Sequence, residues 1–176
     1  MASNQPTQAL KVIPSDVHNI PEPDAYITGN NSAGAGTTIT DASANFLGVS
    51  NPGNTGYSNR VNPGDVVYHE AAGPVFTLLT VVSIIDNNNI QVSASITGGR
   101  YEIYRANRGD INLNKEGFSL FVGGSGGGTA GNISVIPASS NQTVVLENIP
   151  DSSFIPLQVR RVNSGGTTAT NIIALR

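Results

Sequence analysis

The sequence predicts an all-β fold of two small antiparallel β-modules, each a sandwich or barrel, from three observations. Glycine, proline and asparagine interrupt almost every window, which leaves no room for a sustained helical pattern. The longest stretch free of Gly and Pro, Val75 to Thr97, is built largely from Val, Ile, Thr and Ser. Those side chains lose χ1 freedom in a helix or pack well on a pleated surface. Apolar and polar residues also alternate with a period of two between turn-forming clusters.

The elements follow in order. Asp41–Leu47, with Asp41 as N-cap and Gly48 as the stop, reads as a turn or two of helix, and the rest as strand. Gly64-Asp65 opens a strand through Val66, Val67 and Tyr68, and Val75–Ile85, apolar on both faces, is a central strand. Asp86-Asn87-Asn88-Asn89 is a tight turn, because Asn and Asp tolerate positive φ. Ile90–Ile96 then places Ile90, Val92, Ala94 and Ile96 inward, with Gln91, Ser93 and Ser95 outward. Gly98-Gly99 leads into Tyr101–Arg105, so that Asp65 to Arg105 is expected to form a four-stranded meander. The polar stretch Ala106–Glu116 marks a boundary. Beyond it lie strands Phe118–Val122, Asn132–Ile136, Thr143–Ile149, Leu157–Val162 and Thr170–Leu175, whose even spacing fits a sandwich or jelly-roll-like unit. The glycine run Gly123–Gly131 reads as a flexible hairpin tip.

Composition excludes several function classes. Nine Lys+Arg against 12 Asp+Glu, a net charge of −3 and a pI near 5.2 leave no basic footprint for nucleic acid. Without cysteine there is no disulfide framework, thiolate metal site or thiol nucleophile. No stretch approaches the ~20 apolar residues of a membrane span, and Met1–Gln8 does not read as a signal peptide.

Candidate chemistry is sparse. Gly126-x-Gly128-x-x-Gly131 satisfies the dinucleotide fingerprint, which requires a helix to start there, yet the following Asn132–Ile136 reads as strand. The histidines His18 and His69 form no ligand-spaced cluster, and His69-Glu70 reads as a solvated rim at a strand end. Asp86–Asn89 and Asp65 offer oxygen ligands but lack the calcium-loop pattern. Arg108-Gly109-Asp110 spells a cell-adhesion tripeptide, and Asn30, Asn132 and Asn141 begin glycosylation sequons; each is a match that composition alone makes common. No catalytic, cofactor-binding or metal-ligating residue is assigned.

The ends of the chain carry a more specific pattern. Phe118-Ser-Leu-Phe-Val-Gly-Gly, Thr143-Val-Val-Leu-Glu-Asn-Ile-Pro and the closing Phe154–Arg176, with Arg160-Arg161-Val162-Asn163-Ser-Gly-Gly-Thr-Thr-Ala-Thr170 inside it, resemble the spike base proteins. These are small virion proteins of tailed bacteriophages and gene transfer agents. Ile13-Pro-Ser-Asp16 with Ile20-Pro21 is similar to the proline-containing lead-in of that family. The resemblance implies one base module of residues 1–23 and 117–176, a second β-module inserted over residues 24–106, and 107–116 as linker.

Leu157, Val159 and Val162, then Ile172, Ile173 and Leu175, flank Asn163–Thr170 and are expected to close the chain as a terminal hairpin. Arg160 and Arg161 beside it read either as solvated edge charges or as partners for acidic groups on another subunit. The expected function is non-enzymatic: decorating the outer capsid surface of a tailed phage, or forming the base of a head spike or fibre. The resemblance implies as partners the major capsid protein or neighbouring virion proteins, further copies of the chain as a trimer or pentamer, and a fibre protein. No cofactor, nucleic acid or membrane is expected. A tail, baseplate or fibre-adaptor position is the alternative. A carbohydrate-binding protein is the remaining rival, and five Tyr, five Phe and no Trp supply little aromatic platform for one.

Overall fold

The computed structural model describes residues 6–23, 25–50, 57–58, 60–71, 76–106, 117–124 and 131–176, and none of these is helical. In chain order the strands are β1 (Ala9–Lys11), β2 (Ala25–Asn31), β3 (Gly36–Thr40), β4 (Val49–Ser50), β5 (Tyr57–Ser58), β6 (Val66–Glu70) and β7 (Phe76–Ile84). They continue as β8 (Asn89–Ile96), β9 (Gly99–Tyr104), β10 (Phe118–Val122), β11 (Gly131–Pro137), β12 (Val144–Ile149), β13 (Ser153–Val162) and β14 (Ile172–Leu175). The chain divides into two compact units: Met1–Pro23 with Asn107–Arg176, the first, and Asp24–Ala106, the second. The linker expected over 107–116, with its Arg-Gly-Asp, and residues 125–130 of the glycine run lie outside the described residues.

The second unit holds an antiparallel sheet in the order β2-β9-β6-β7-β8-β3. The expected meander is therefore corrected: β6, β7 and β8 follow one another, but β9 pairs with β6 (His69 opposite Tyr101) rather than with β8. Only Thr97 and Gly98 separate β8 from β9. Three Cα–Cα steps span at most ~11 Å, whereas three strand spacings of a flat sheet take ~14 Å, so the sheet must curl. Asn31, 4 % exposed, joins the two ends of the curl. Its Oδ1 accepts from Thr40 N (2.9 Å) and Ala33 N (3.0 Å), and its Nδ2 donates to the Thr97 carbonyl (3.0 Å). Inside the curl Ile39, Phe46, Val61, Val67, Leu79, Ile90, Val92, Tyr101 and Ile103 form a single core.

On β8 the expected alternation holds for Ile90, Val92 and Ile96, but Ala94 is exposed. Asp41–Leu47 is two turns rather than helix. Asn88 Nδ2 donates to the carbonyls of Asp41, Ala42 and Ala44 at 3.0–3.1 Å. Phe46 N donates to Asn87 O (2.8 Å), so the backbone groups a helix needs are already taken.

The first unit holds an antiparallel sheet in the order β1-β14-β10-β13-β11-β12. Strand β10 alternates fully, with Phe118, Leu120 and Val122 buried, and stands between β13 and β14. The expected terminal hairpin is thus absent, because β14 pairs with β10 on one side and β1 on the other. The reason is what the connecting residues do. Thr168 N and Ala169 N donate to Asn132 O (2.9 and 3.1 Å), Asn132 N donates to Thr168 Oγ1 (2.9 Å), and Asn163 N donates to Ser134 O (2.8 Å). The connection runs along β11 as a substitute ladder, where a hairpin would need only two to five residues. Strand β13 begins at Ser153, earlier than expected, with Pro156 inside it. Leu120 faces Ile155 and Phe118 faces Val159, so the proline sits in a bulge, where it costs no ladder bond.

Candidate functional site

The second unit buries two carboxylates, Asp41 and Asp65, whose chemistry is spent on the fold. Asp41, 6 % exposed, accepts at Oδ1 from Ser43 N (2.9 Å) and Ser43 Oγ (2.6 Å), and at Oδ2 from Tyr101 Oη (2.8 Å). Burial works to raise its pKa, but these donors outweigh burial and hold the carboxyl below the usual range. Burial and the adjoining carboxylate in turn push the Tyr101 hydroxyl up, so it stays a donor at any physiological pH. Asp65, 1 % exposed, accepts at Oδ2 from Tyr26 Oη (2.6 Å), Asn62 N (2.9 Å) and Arg105 Nη1 (3.3 Å), and at Oδ1 from Ala106 N (3.2 Å). The Arg105 guanidinium lies 3.8 Å from the Tyr26 ring centroid.

His69 is not the solvated rim its position at a strand end indicated. It is 2 % exposed, because it shares a face of β6 with the core residue Val67 and lies opposite the core residue Tyr101 on β9. Its Nε2 has no partner among the described residues. Desolvation lowers its pKa, against a smaller raising effect of its hydrogen bond with the Thr97 backbone. The native state therefore takes up a proton on His69 only at lower pH than the unfolded chain, whose imidazole titrates at about pH 6.5. Stability is expected to be constant in this respect above that pH and to fall as acid is added, by up to about 1.4 kcal/mol per pH unit. Urea titrations between pH 7.5 and 5.5 check this, and His69→Gln should remove that part of the slope.

Neither unit gathers the other candidates into a cluster among the described residues. His18 and His69 belong to different units, and among the described residues no group of three or more His, Cys, Asp or Glu is placed to hold a metal ion. Asp86 is engaged in its own turn, accepting from Asn88 N (2.8 Å) and Asn89 Nδ2 (2.8 and 2.9 Å). Gly126 and Gly128 lie outside the described residues, and what starts at Gly131 is strand β11, not the helix that a dinucleotide site requires.

The lead-in, Phe118–Val122 and the closing segment converge in the first unit. The lead-in bonds to the closing segment through Ser15 N to Val162 O (2.8 Å), Ile20 N to Arg160 O (2.8 Å) and Val12 N to Ile172 O (2.9 Å). Asp16 accepts from Ser164 Oγ and Gly165 N, and these bonds hold its carboxyl below the usual range. Arg161 donates to Asp16 O (2.8 Å) and Asn19 Oδ1 (3.2 Å), so it is an internal clamp. No protein-family model, curated protein or solved structure matches the chain.

Among the described residues, the β12 edge of the first unit is a surface with backbone groups open to another molecule. Every described residue of β12 is exposed or half-buried, with Val144 38 % and Val145 47 % exposed. The opposite edge, β1, has three residues. The strand carries no lysine, no proline and one charge, Glu147; natural edge strands are ordinarily blunted by such residues. Sequence reading placed this strand correctly but missed that it is an edge, a property of the sheet order alone.

Proposed function

We propose that the chain is a non-enzymatic virion structural protein that decorates the outer capsid surface of a tailed phage or forms the base of a head spike or fibre. The observation that carries this reading is that the residues bearing the family pattern act together. Phe118–Val122 is the inner strand between β13 and β14, Asn163–Ala169 is bonded along β11, and the lead-in closes on the ends of β13 and β14. Asp16 and Arg161, 145 residues apart, are joined in one compact unit that excludes residues 24–106.

The role is mechanical. Many copies bind a symmetric lattice through the base module, the inserted module is presented outward or receives a fibre, and repetition supplies avidity from modest contacts. A charged fraction of 12 % with abundant Gly, Asn, Ser and Thr suits dense packing, where like-charge repulsion is costly. The partners are the major capsid protein or neighbouring virion proteins, a fibre protein, and further copies of the chain closed into a trimer or pentamer, the symmetries of capsid and tail sites. Gold-labelled antibody on intact particles, with copy number by quantitative mass spectrometry, tests the proposal. Hundreds of copies on the head are expected. About a dozen or fewer, on the axis of the tail, would move the protein to the tail, and absence from purified particles would overturn the reading.

A further inference from the structure

We propose that β12 is a self-association edge, pairing antiparallel with β12 of a second copy about a two-fold axis centred on Val145. The backbone fixes which groups are available. Ser134 N donates to Thr167 Oγ1 (3.0 Å) and Ser134 O accepts from Asn163 N (2.8 Å), so both point away from β12. Antiparallel ladders alternate. Ile133 and Val135 therefore bond to Leu146 and Val144, their register partners, and Val145 directs its own N–H and C=O outward.

Pairing Val145 with Val145 of the second copy matches those outward groups to each other. It also sets Val144 opposite Leu146, so that apolar side chains meet at the centre, and Glu147 opposite Thr143. Charge then selects a second copy as the occupant. Glu147 has no cationic partner among the described residues, and Arg160 has no carboxylate partner among them, its Nη2 donating instead to Asn141 Oδ1 (2.8 Å). Asn141 lies two residues before Thr143, in the bend that leads into β12. The two-fold pairing thus carries each unpaired Glu147 toward the other copy's unpaired Arg160, while the two Glu147 residues stay four strand positions apart. Each copy thus offers the anion from β12 and the cation from β13. Such an isologous contact joins copies in twos, which is distinct from ring closure and independent of where the protein sits.

The absence of cysteine makes the test direct. Sedimentation of the full chain is expected to give an even multiple of the monomer mass. Val145→Cys should form an intermolecular disulfide on mild oxidation, since a directly opposed pair has a Cα separation of about 5.5 Å, within disulfide range. Ser95→Cys, an exposed position on β8, should not. Val145→Lys should weaken self-association at least about tenfold with the far-UV spectrum unchanged. Glu147→Arg and Arg160→Glu should each weaken it by about two- to fivefold, and the double reversal should restore it. A wild-type chain that sediments as a monomer, or an even-numbered assembly that Val145→Lys leaves intact, would overturn the proposal. So would equal cross-linking of the Val145→Cys and Ser95→Cys variants.

Discussion

Replacing Gly29 by alanine is expected to unfold the second unit at markedly lower urea, with a loss of about 3 kcal/mol. A Cβ built on Gly29 would stand 2.1 Å from Asp41 Oδ2, 2.6 Å from Tyr101 Oη and 2.8 Å from Tyr101 Cζ. Neither neighbour can give way cheaply. Tyr101 is fully buried against Phe46, with ring centroids 6.1 Å apart, and Asp41 is held at both oxygens by Ser43 and Tyr101. Displacing the carboxylate strands it in the interior, and displacing the ring opens the core. The measurement is specific, because all five tyrosines (26, 57, 68, 101 and 104) fall within Asp24–Ala106 and the chain has no tryptophan. Tyrosine fluorescence reports the second unit, and its transition is the one expected to move.

The matching change in the first unit is Gly131→Val, with an expected loss of about 3 kcal/mol. A Cβ on Gly131 would meet Ala169 Cα at 2.7 Å and Ala169 N at 2.8 Å. The obstacle is backbone, so the 163–169 connection must lift off β11. The bonds of Thr168 N and Ala169 N to Asn132 O, and of Asn132 N to Thr168 Oγ1, go with it. Far-UV circular dichroism should register an early transition while the tyrosine signal keeps its wild-type midpoint. A valine variant with wild-type stability would mean that the connection contributes nothing.

Local patterning was sufficient where a segment's neighbours are close in sequence, and insufficient where they are not. Strands β7, β8 and β10 and the Asp86–Asn89 turn are written in alternation and turn chemistry, and they stand where that chemistry puts them. Asp41–Leu47 misled because its carbonyls are claimed by the side chain of Asn88, more than forty residues away. His69 misled for a related reason: it shares its face of β6 with Val67, and the core that this face meets includes Tyr101, which stands opposite His69 on β9, a strand much later in the chain. The closing hairpin failed because Thr167, Thr168 and Ala169 bond to β11 rather than turning the chain. The same limit applies to the candidate surface. Thr143–Ile149 reads as one strand of an evenly spaced series, and only the sheet order gives it, among the described residues, the single neighbour β11.

The Asp65 carboxylate has a consequence for how such a chain is assembled from parts. It holds Tyr26, near the entry to the second unit, and Arg105 and Ala106, at the exit, where Ala25 already pairs with Tyr104. A segment whose two ends are clamped side by side can be excised or transplanted without asking its host to stretch. Residues 24–106 are therefore a cassette with its own latch. Any surface loop able to open by the width of one strand pair could accept it, and Asp65→Ala would leave the cassette folded but frayed at its point of attachment.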